Sequence, residues 1–416
     1  MDRRCFLRLA AAGLVAPRLL GGCSGADGSA SANAGRGDGG SDAGAGDAGE
    51  TPADAGTGRK TVRYATTFTR PELRLREGSG LVTVPMEPGP GGGFVARFGT
   101  AGAAARFFFR DALSGGEDRP PGGGDYLLPA DLDEAWLEKG TVFDVDPRRI
   151  PFELIDAHTH PYERASDGSL QFDAGPMLAT LGAQGIGVAI TSLKGTLAEQ
   201  RARVGGMRRD NPWVVPLVWV EPQRDSVAEV EAMLEADGFR GLKFHPTVSG
   251  YPADGAAMDA FLELAARRAV PAQIHSAVDD PSRAVRVAAL AARHPEARVV
   301  LVHTELGAID KTAAIATVGA LPNVYAETSW ANPESVLQIM GALDSSRTLF
   351  GTDATVDGYQ HFEKTSIANP QGEYLYTLPQ TVARVREWAH PDAFANWARL
   401  TAVRLYGLRF RPILGG

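Results

Sequence analysis

Two histidines one residue apart, His158 and His160, followed at long intervals by His275, His303 and Asp353, are the residues of this 416-residue chain best suited to chemistry. Side chains at i and i+2 of an extended segment point the same way, so both imidazoles of His158-Thr159-His160 can reach one ion. Imidazoles converging with a carboxylate, with no thiol available, fit Zn(II) or a similar divalent first-row ion. The two cysteines, Cys5 and Cys23, both lie near the start of the chain. Neither a thiol nor a disulfide is therefore expected to serve the site.

Such a set needs a scaffold that brings distant strand ends together. From Pro151 onward, short apolar runs alternate with alanine-rich helical stretches. The runs are 152–157, 187–193, 213–220, 241–244, 271–274, 298–302, 324–326 and 347–350, and helical patterns cover 226–236, 256–269, 281–293 and 333–343. Eight strand-helix units of roughly 28 residues predict an α/β fold, a (β/α)8 TIM barrel over 151–416. A doubly wound open sheet would place a glycine-rich phosphate turn after its first strand, where this chain has Ile155-Asp156-Ala157-His158-Thr159-His160. In a barrel the reactive groups stand at the C-terminal strand ends, and His158, His160, Lys243, His245, His275, His303 and Asp353 all fall there.

In identity, order and spacing, residues 151–408 resemble the amidohydrolase superfamily, in particular its amidohydrolase-related branch. The resemblance rests on the His-x-His after the first run, the histidines after the fifth and sixth, and the Asp after the eighth. Thr401-Ala402-Val403-Arg404-Leu405-Tyr406-Gly407-Leu408 also resembles the closing helix of that branch, with Thr401 where Asn is usual. The chain ends soon afterwards, which favours this branch over members with a composite β-sandwich.

The resemblance implies a metal-dependent hydrolase that attacks an amide, ester or lactone carbonyl with activated water. His158, His160, His275 and Asp353 would hold the metal, Asp353 would also shuttle the proton, and His303 would position the water. Lys243, within Lys243-Phe244-His245-Pro246, resembles the lysine that binuclear members carboxylate to bridge two metals; one ion is expected, and two stay open. Glu327, Trp330 and Lys194, placed at strand ends, are candidate substrate contacts. Two alternatives stand beside this reading: a zinc-dependent non-oxidative decarboxylase of a small carboxylic acid, and a non-catalytic surface barrel that binds a ligand.

Ahead of the barrel, residues 59–150 read as a small β-rich region, with β-like runs at 61–64, 81–84, 94–98, 106–109 and 141–143. Residues 24–58 contain no Val, Ile, Leu, Met, Cys or aromatic side chain, so 23–58 is expected to be a disordered tether reaching roughly 30 to 35 Å. In residues 1–22, Arg3-Arg4 followed by Phe6-Leu7-Arg8 resembles a twin-arginine export signal, and Leu20-Gly21-Gly22-Cys23 resembles a lipobox. The expectation is an exported protein of the bacterial cell envelope, lipid-anchored at Cys23. A formal charge of -8 with no basic stripe argues against nucleic acid as a partner. No apolar run reaches the roughly 18 residues of a membrane span, so the lipid is the expected membrane contact and a small molecule the expected substrate.

Overall fold

Alternating apolar and charged residues make strands of the segment that precedes the barrel. The computed structural model describes residues 59–89, 92–99, 103–164, 170–308, 310–354 and 376–414. The expected export signal at 1–22, the tether at 23–58 and the anchor Cys23 lie outside the described residues.

The first ten strands are β1 (Arg59–Tyr64), β2 (Pro71–Glu77), β3 (Gly80–Pro85), β4 (Glu87–Pro88), β5 (Phe94–Gly99), β6 (Ala105–Asp111), β7 (Glu117–Asp118), β8 (Tyr126–Leu128), β9 (Glu134–Glu138) and β10 (Thr141–Phe143). One sheet runs β10-β9-β1-β5-β4 and the other β3-β2-β6-β7, with β8 on β6. Period-two alternation sends Val62, Leu73, Leu75, Phe107 and Phe109 into one core. The region is strand-rich as expected.

Next come the barrel strand β11 (Leu154–Thr159) and a small hairpin, β12 (Tyr162–Arg164) with β13 (Leu170–Phe172). The remaining barrel strands are β14 (Ile186–Ser192), β15 (Val214–Trp219), β16 (Leu242–Phe244), β17 (Pro271–Ala277), β18 (Arg298–Leu306), β19 (Val324–Glu327) and β20 (Thr348–Leu349). The eight barrel strands pair in parallel in chain order from β11 to β20, with helices between them, which is a TIM barrel. They are buried on both faces, so the sequence shows continuous apolar runs here instead of alternation.

The seam between β20 and β11 is closed by separate bonds: Ala157 N to Phe350 O (2.9 Å), Asp353 N to His158 O (2.8 Å) and His160 N to Ala354 O (2.6 Å). The strand-rich region is tied to the barrel's last helix. Arg404 Nη1 donates to Thr141 Oγ1 at 2.7 Å, and the Asp144 carboxylate accepts from the backbone N–H groups of Phe410 (2.8 Å) and Arg411 (3.0 Å). Phe143 and Val145 enter the barrel's own core beside Phe410.

Candidate metal centre

The strand ends bring His158, His160, His275, His303 and Asp353 around one cavity of about 320 Å³, walled further by Tyr162, Lys194, Trp219, His245 and Val248, with Lys243 buried against His158. The protonation of each ring follows from what its Nδ1 touches. His160 Nδ1 lies 3.0 Å from the Ser192 carbonyl oxygen, which can only accept, so Nδ1 carries the proton and Nε2 a lone pair. His158 Nδ1 lies 3.3 Å from Glu327 Oε2, with the same result. Ser329 Oγ donates to Glu327 Oε2 at 2.8 Å and so accepts from His303 Nδ1 at 2.7 Å. All three rings turn a bare Nε2 toward the cavity.

The lone pairs converge closely. His158 Nε2 and His160 Nε2 are 3.0 Å apart, and Asp353 Oδ1 lies 3.5 and 3.4 Å from them. His303 Nε2 is 3.9 Å from Asp353 Oδ2. Two lone pairs and a carboxylate at these distances repel unless a cation lies among them, and the Lys243 ammonium reaches His158 Nε2 at 2.8 Å. The separations among His158, His160 and Asp353 also lie near the edge, about 3.3 Å, of a tetrahedron of N and O donors placed about 2.0 to 2.1 Å from Zn(II). A divalent ion fits this donor set.

Burial is the main reason His158, His275 and His303 stay neutral. Together with the nearby Lys243 charge it lowers His158 below its ordinary value; it lowers His303 likewise and brings His275 to about 3. Lys243 is fully buried with Nζ 2.8 Å from His158 Nε2. Burial brings its ammonium down to about 8, against the opposing pull of Asp353 and Glu327.

The backbone is forced into place at these strand ends. His303, Thr304 and Glu305 have consecutive φ values of 64°, 47° and 68°, and Asp353 has 60°. Left-handed non-glycine residues are disfavoured and persist where surroundings over-determine them. Here Glu327 Oε2 accepts from His303 N (3.1 Å), Ser276 Oγ from Glu305 N (2.8 Å), and the Glu327 carbonyl from Thr304 Oγ1 (3.0 Å). Lys311 Nζ, also buried, donates to the carbonyls of His303 (3.2 Å) and Glu305 (2.8 Å). Trp330 Nε1 donates to Asp353 Oδ2 at 2.9 Å.

The structure places most of the expected residues at the cavity, with one difference. Glu327, expected to touch substrate, has no exposed surface and stands behind His158 and His303 as the acceptor that orients them. His303, expected beside the ion, offers a donor atom within 4.8 Å of those of His158 and Asp353. His275 stands 5.0 Å from His303, ring centre to ring centre, and stacks on His245 at 3.8 Å. Lys194 is exposed at the cavity rim. A larger groove of about 1080 Å³ lies among the N-terminal strands. Its charges pair with neighbours, Arg63 with Glu134 and Arg119 with Glu117.

Two supporting residues, Asp156 and Lys311, carried no expectation, and Ser329, a candidate substrate contact by its strand-end position, instead links His303 to Glu327. Asp156 had a readable signal, because it sits two residues before His158 on one strand and shares its face.

Among solved structures, the chain resembles 5-carboxyvanillate decarboxylase from Sphingomonas paucimobilis (14% identity over 62% of this chain and 99% of that one, TM-score 0.47). It also resembles a zinc-bound amidohydrolase from Burkholderia multivorans (18% identity, 61% and 99%, TM-score 0.46). A third is amidohydrolase 2 from Bifidobacterium longum subsp. infantis (14% identity, 61% and 98%, TM-score 0.44). No curated protein matches the chain. The family model described as Amidohydrolase spans residues 155–408, from β11 through the closing helix. With its barrel and its converging histidines and aspartate inside that span, the chain belongs to the amidohydrolase family.

Proposed function

We propose that the protein is a metal-dependent hydrolase acting on a carbonyl-type electrophile of a small molecule, an amide, ester or lactone. The observation that carries this reading is the convergence of bare imidazole Nε2 atoms on the Asp353 carboxylate at the C-terminal mouth of the barrel. His158, His160 and Asp353 would hold Zn(II) or a similar ion. His275 and His303 stand beside them, one to complete the set and the other to face the substrate.

When bound, the ion would polarise the substrate carbonyl and lower the pKa of an attacking water. Asp353 would take the proton from that water and pass it to the leaving group. The Trp330 indole N–H on Oδ2 holds the carboxylate in one orientation and leaves Oδ1 toward the histidines. The Ser329 hydroxyl keeps His303 Nε2 unprotonated, ready to accept a hydrogen bond from water or substrate.

The test is an assay of the protein, loaded with Zn(II) or Mn(II), against esters, lactones, amides and aromatic carboxylic acids, with detection of carbon dioxide. Hydrolysis should appear, and Asp353→Asn should lower kcat by about a hundredfold or more while losing much less metal. Near-native turnover by that variant would remove Asp353 as the proton shuttle. Carbon dioxide release without hydrolysis would assign the site to decarboxylation.

A further inference from the structure

The barrel seam carries both halves of the candidate centre. His158 and His160 end β11, and Asp353 follows β20. Every other neighbouring pair of barrel strands shares a hydrogen-bonded ladder, but β20 is only Thr348–Leu349 and β11 meets its continuation through separate bonds. Between the bond at Phe350 and the bond at Asp353, the backbone N–H of Thr352 turns to a side chain. It donates to Asp156 Oδ1 at 3.0 Å.

That same oxygen accepts the backbone N–H of His158, also at 3.0 Å. The second oxygen, Oδ2, accepts the Thr352 hydroxyl at 2.5 Å, and that hydroxyl accepts from Ala354 N at 3.0 Å. One carboxylate therefore fixes the residue immediately before Asp353 and the backbone of His158. Asp156 and Thr352 have no exposed surface, so water has no path to replace these bonds. The need is specific, because Asp353 itself is left-handed and both its flanks must be held for that conformation to persist.

We propose that Asp156 is a positioning residue that sets the separation of His158 from Asp353 across the seam, and through it the capacity of the centre for a divalent ion. The metal arm of this inference rests on the reading given under Proposed function. The seam arm does not.

Substitution chemistry separates positioning from mere filling of the core. In Asp156→Asn the carbonyl oxygen can keep both backbone N–H bonds, while the amide N–H meets the Thr352 oxygen once that hydroxyl rotates. In Asp156→Ala both backbone donors lose their acceptor. The experiment combines Zn(II) titration of the full chain with hydrogen exchange on peptides spanning 154–160 and 349–354.

In Asp156→Ala, exchange should rise in both peptides together, and the Zn(II) dissociation constant should rise by about tenfold or more, the range seen when outer-shell partners are lost. Asp156→Asn should restore both readouts to within about threefold of wild type. If Asp156→Ala does not fold, Thr352→Val removes the Oδ2 bond together with the acceptor of Ala354 N, leaves both backbone bonds to Oδ1, and should loosen both peptides to a smaller degree. A folded Asp156→Ala with wild-type Zn(II) affinity and unchanged exchange would overturn the proposal, as would loosening confined to one peptide. Wild-type protein that binds no Zn(II) would overturn the metal reading instead, and the exchange result would then decide the seam claim alone.

Discussion

Replacing Glu327 by Gln keeps the shape of the side chain and removes its charge, which makes it the sharpest probe of how the imidazoles are oriented. Oε2 faces three donors, His158 Nδ1 at 3.3 Å, His303 N at 3.1 Å and Ser329 Oγ at 2.8 Å. Oε1 faces the backbone N–H of Ser329. Every neighbour is a donor, so the amide nitrogen of Gln must oppose one of them. The less damaging choice sets it against Ser329 N, since the other sets it against three. There is no room to turn away, because Gly351 packs on the carboxylate so closely that a Cβ there would collide with it.

One buried donor left unsatisfied costs about 1–3 kcal/mol of stability. His158 also exchanges a carboxylate for a weaker amide acceptor, which should weaken metal binding by about 10- to 100-fold, equivalent to about 1.4–2.7 kcal/mol. Competition against a chromophoric chelator measures the second quantity and thermal unfolding the first. Ser329→Ala, which breaks only the link from His303 to Glu327, should reduce affinity less, because His158 keeps its partner. Wild-type affinity in Glu327→Gln, or a larger loss in Ser329→Ala, would refute the assignment of Glu327 as the group that orients His158.

Protein purified without added metal should carry one divalent ion per chain and show no mass gain from carbon dioxide; two ions with such a gain would make Lys243 a carboxylated bridge. Lys311 supplies a test by pH. Burial lowers its ammonium to about 8, against the pull of Glu305 and Glu327, whereas in the unfolded chain it titrates near about 10.4. Between those values the unfolded chain binds more protons, so the contribution of Lys311 to stability rises with pH. Denaturant unfolding at pH about 7.5 and about 9.5 should show the gap between wild type and Lys311→Met growing in favour of wild type; a constant gap would mean that Lys311 is not desolvated.

The barrel was legible because its strands are apolar on both faces and its reactive residues stand at their ends. Pro333–Leu343, for example, forms a helix with the bounds its apolar spacing suggests, begun by an Asn332 cap and Pro333. In the N-terminal region β2 and β9 were missed: their sequences, Pro71–Glu77 and Glu134–Glu138, interleave single apolar residues with charges. Only the sheet neighbours bury Leu73, Leu75 and Leu137. At the site, residue type and strand position placed His158, His160, Lys243, His275, His303 and Asp353. Depth was not encoded. Glu327 and Trp330 are both near a strand end, yet one is sealed beneath the imidazoles and the other stands at Asp353 with a left-handed backbone.

The bonds from Thr141 and Asp144 to the end of the chain bear on what counts as a module here. The family match begins at residue 155 and ends at 408, but Phe410, with no exposed surface, packs on Phe143 and Phe152, and its backbone N–H depends on Asp144. Arg404, inside the match, is buried deeply enough for its guanidinium to fall to about 10, and it gives one of its hydrogen bonds to Thr141. A graft confined to the matched residues would carry the catalytic apparatus away from its keystone, with a cationic side chain short of an acceptor and an aromatic face laid open. Transplantation, shuffling or minimisation of this enzyme has to move the upstream strands and the tail as one inheritance with the barrel.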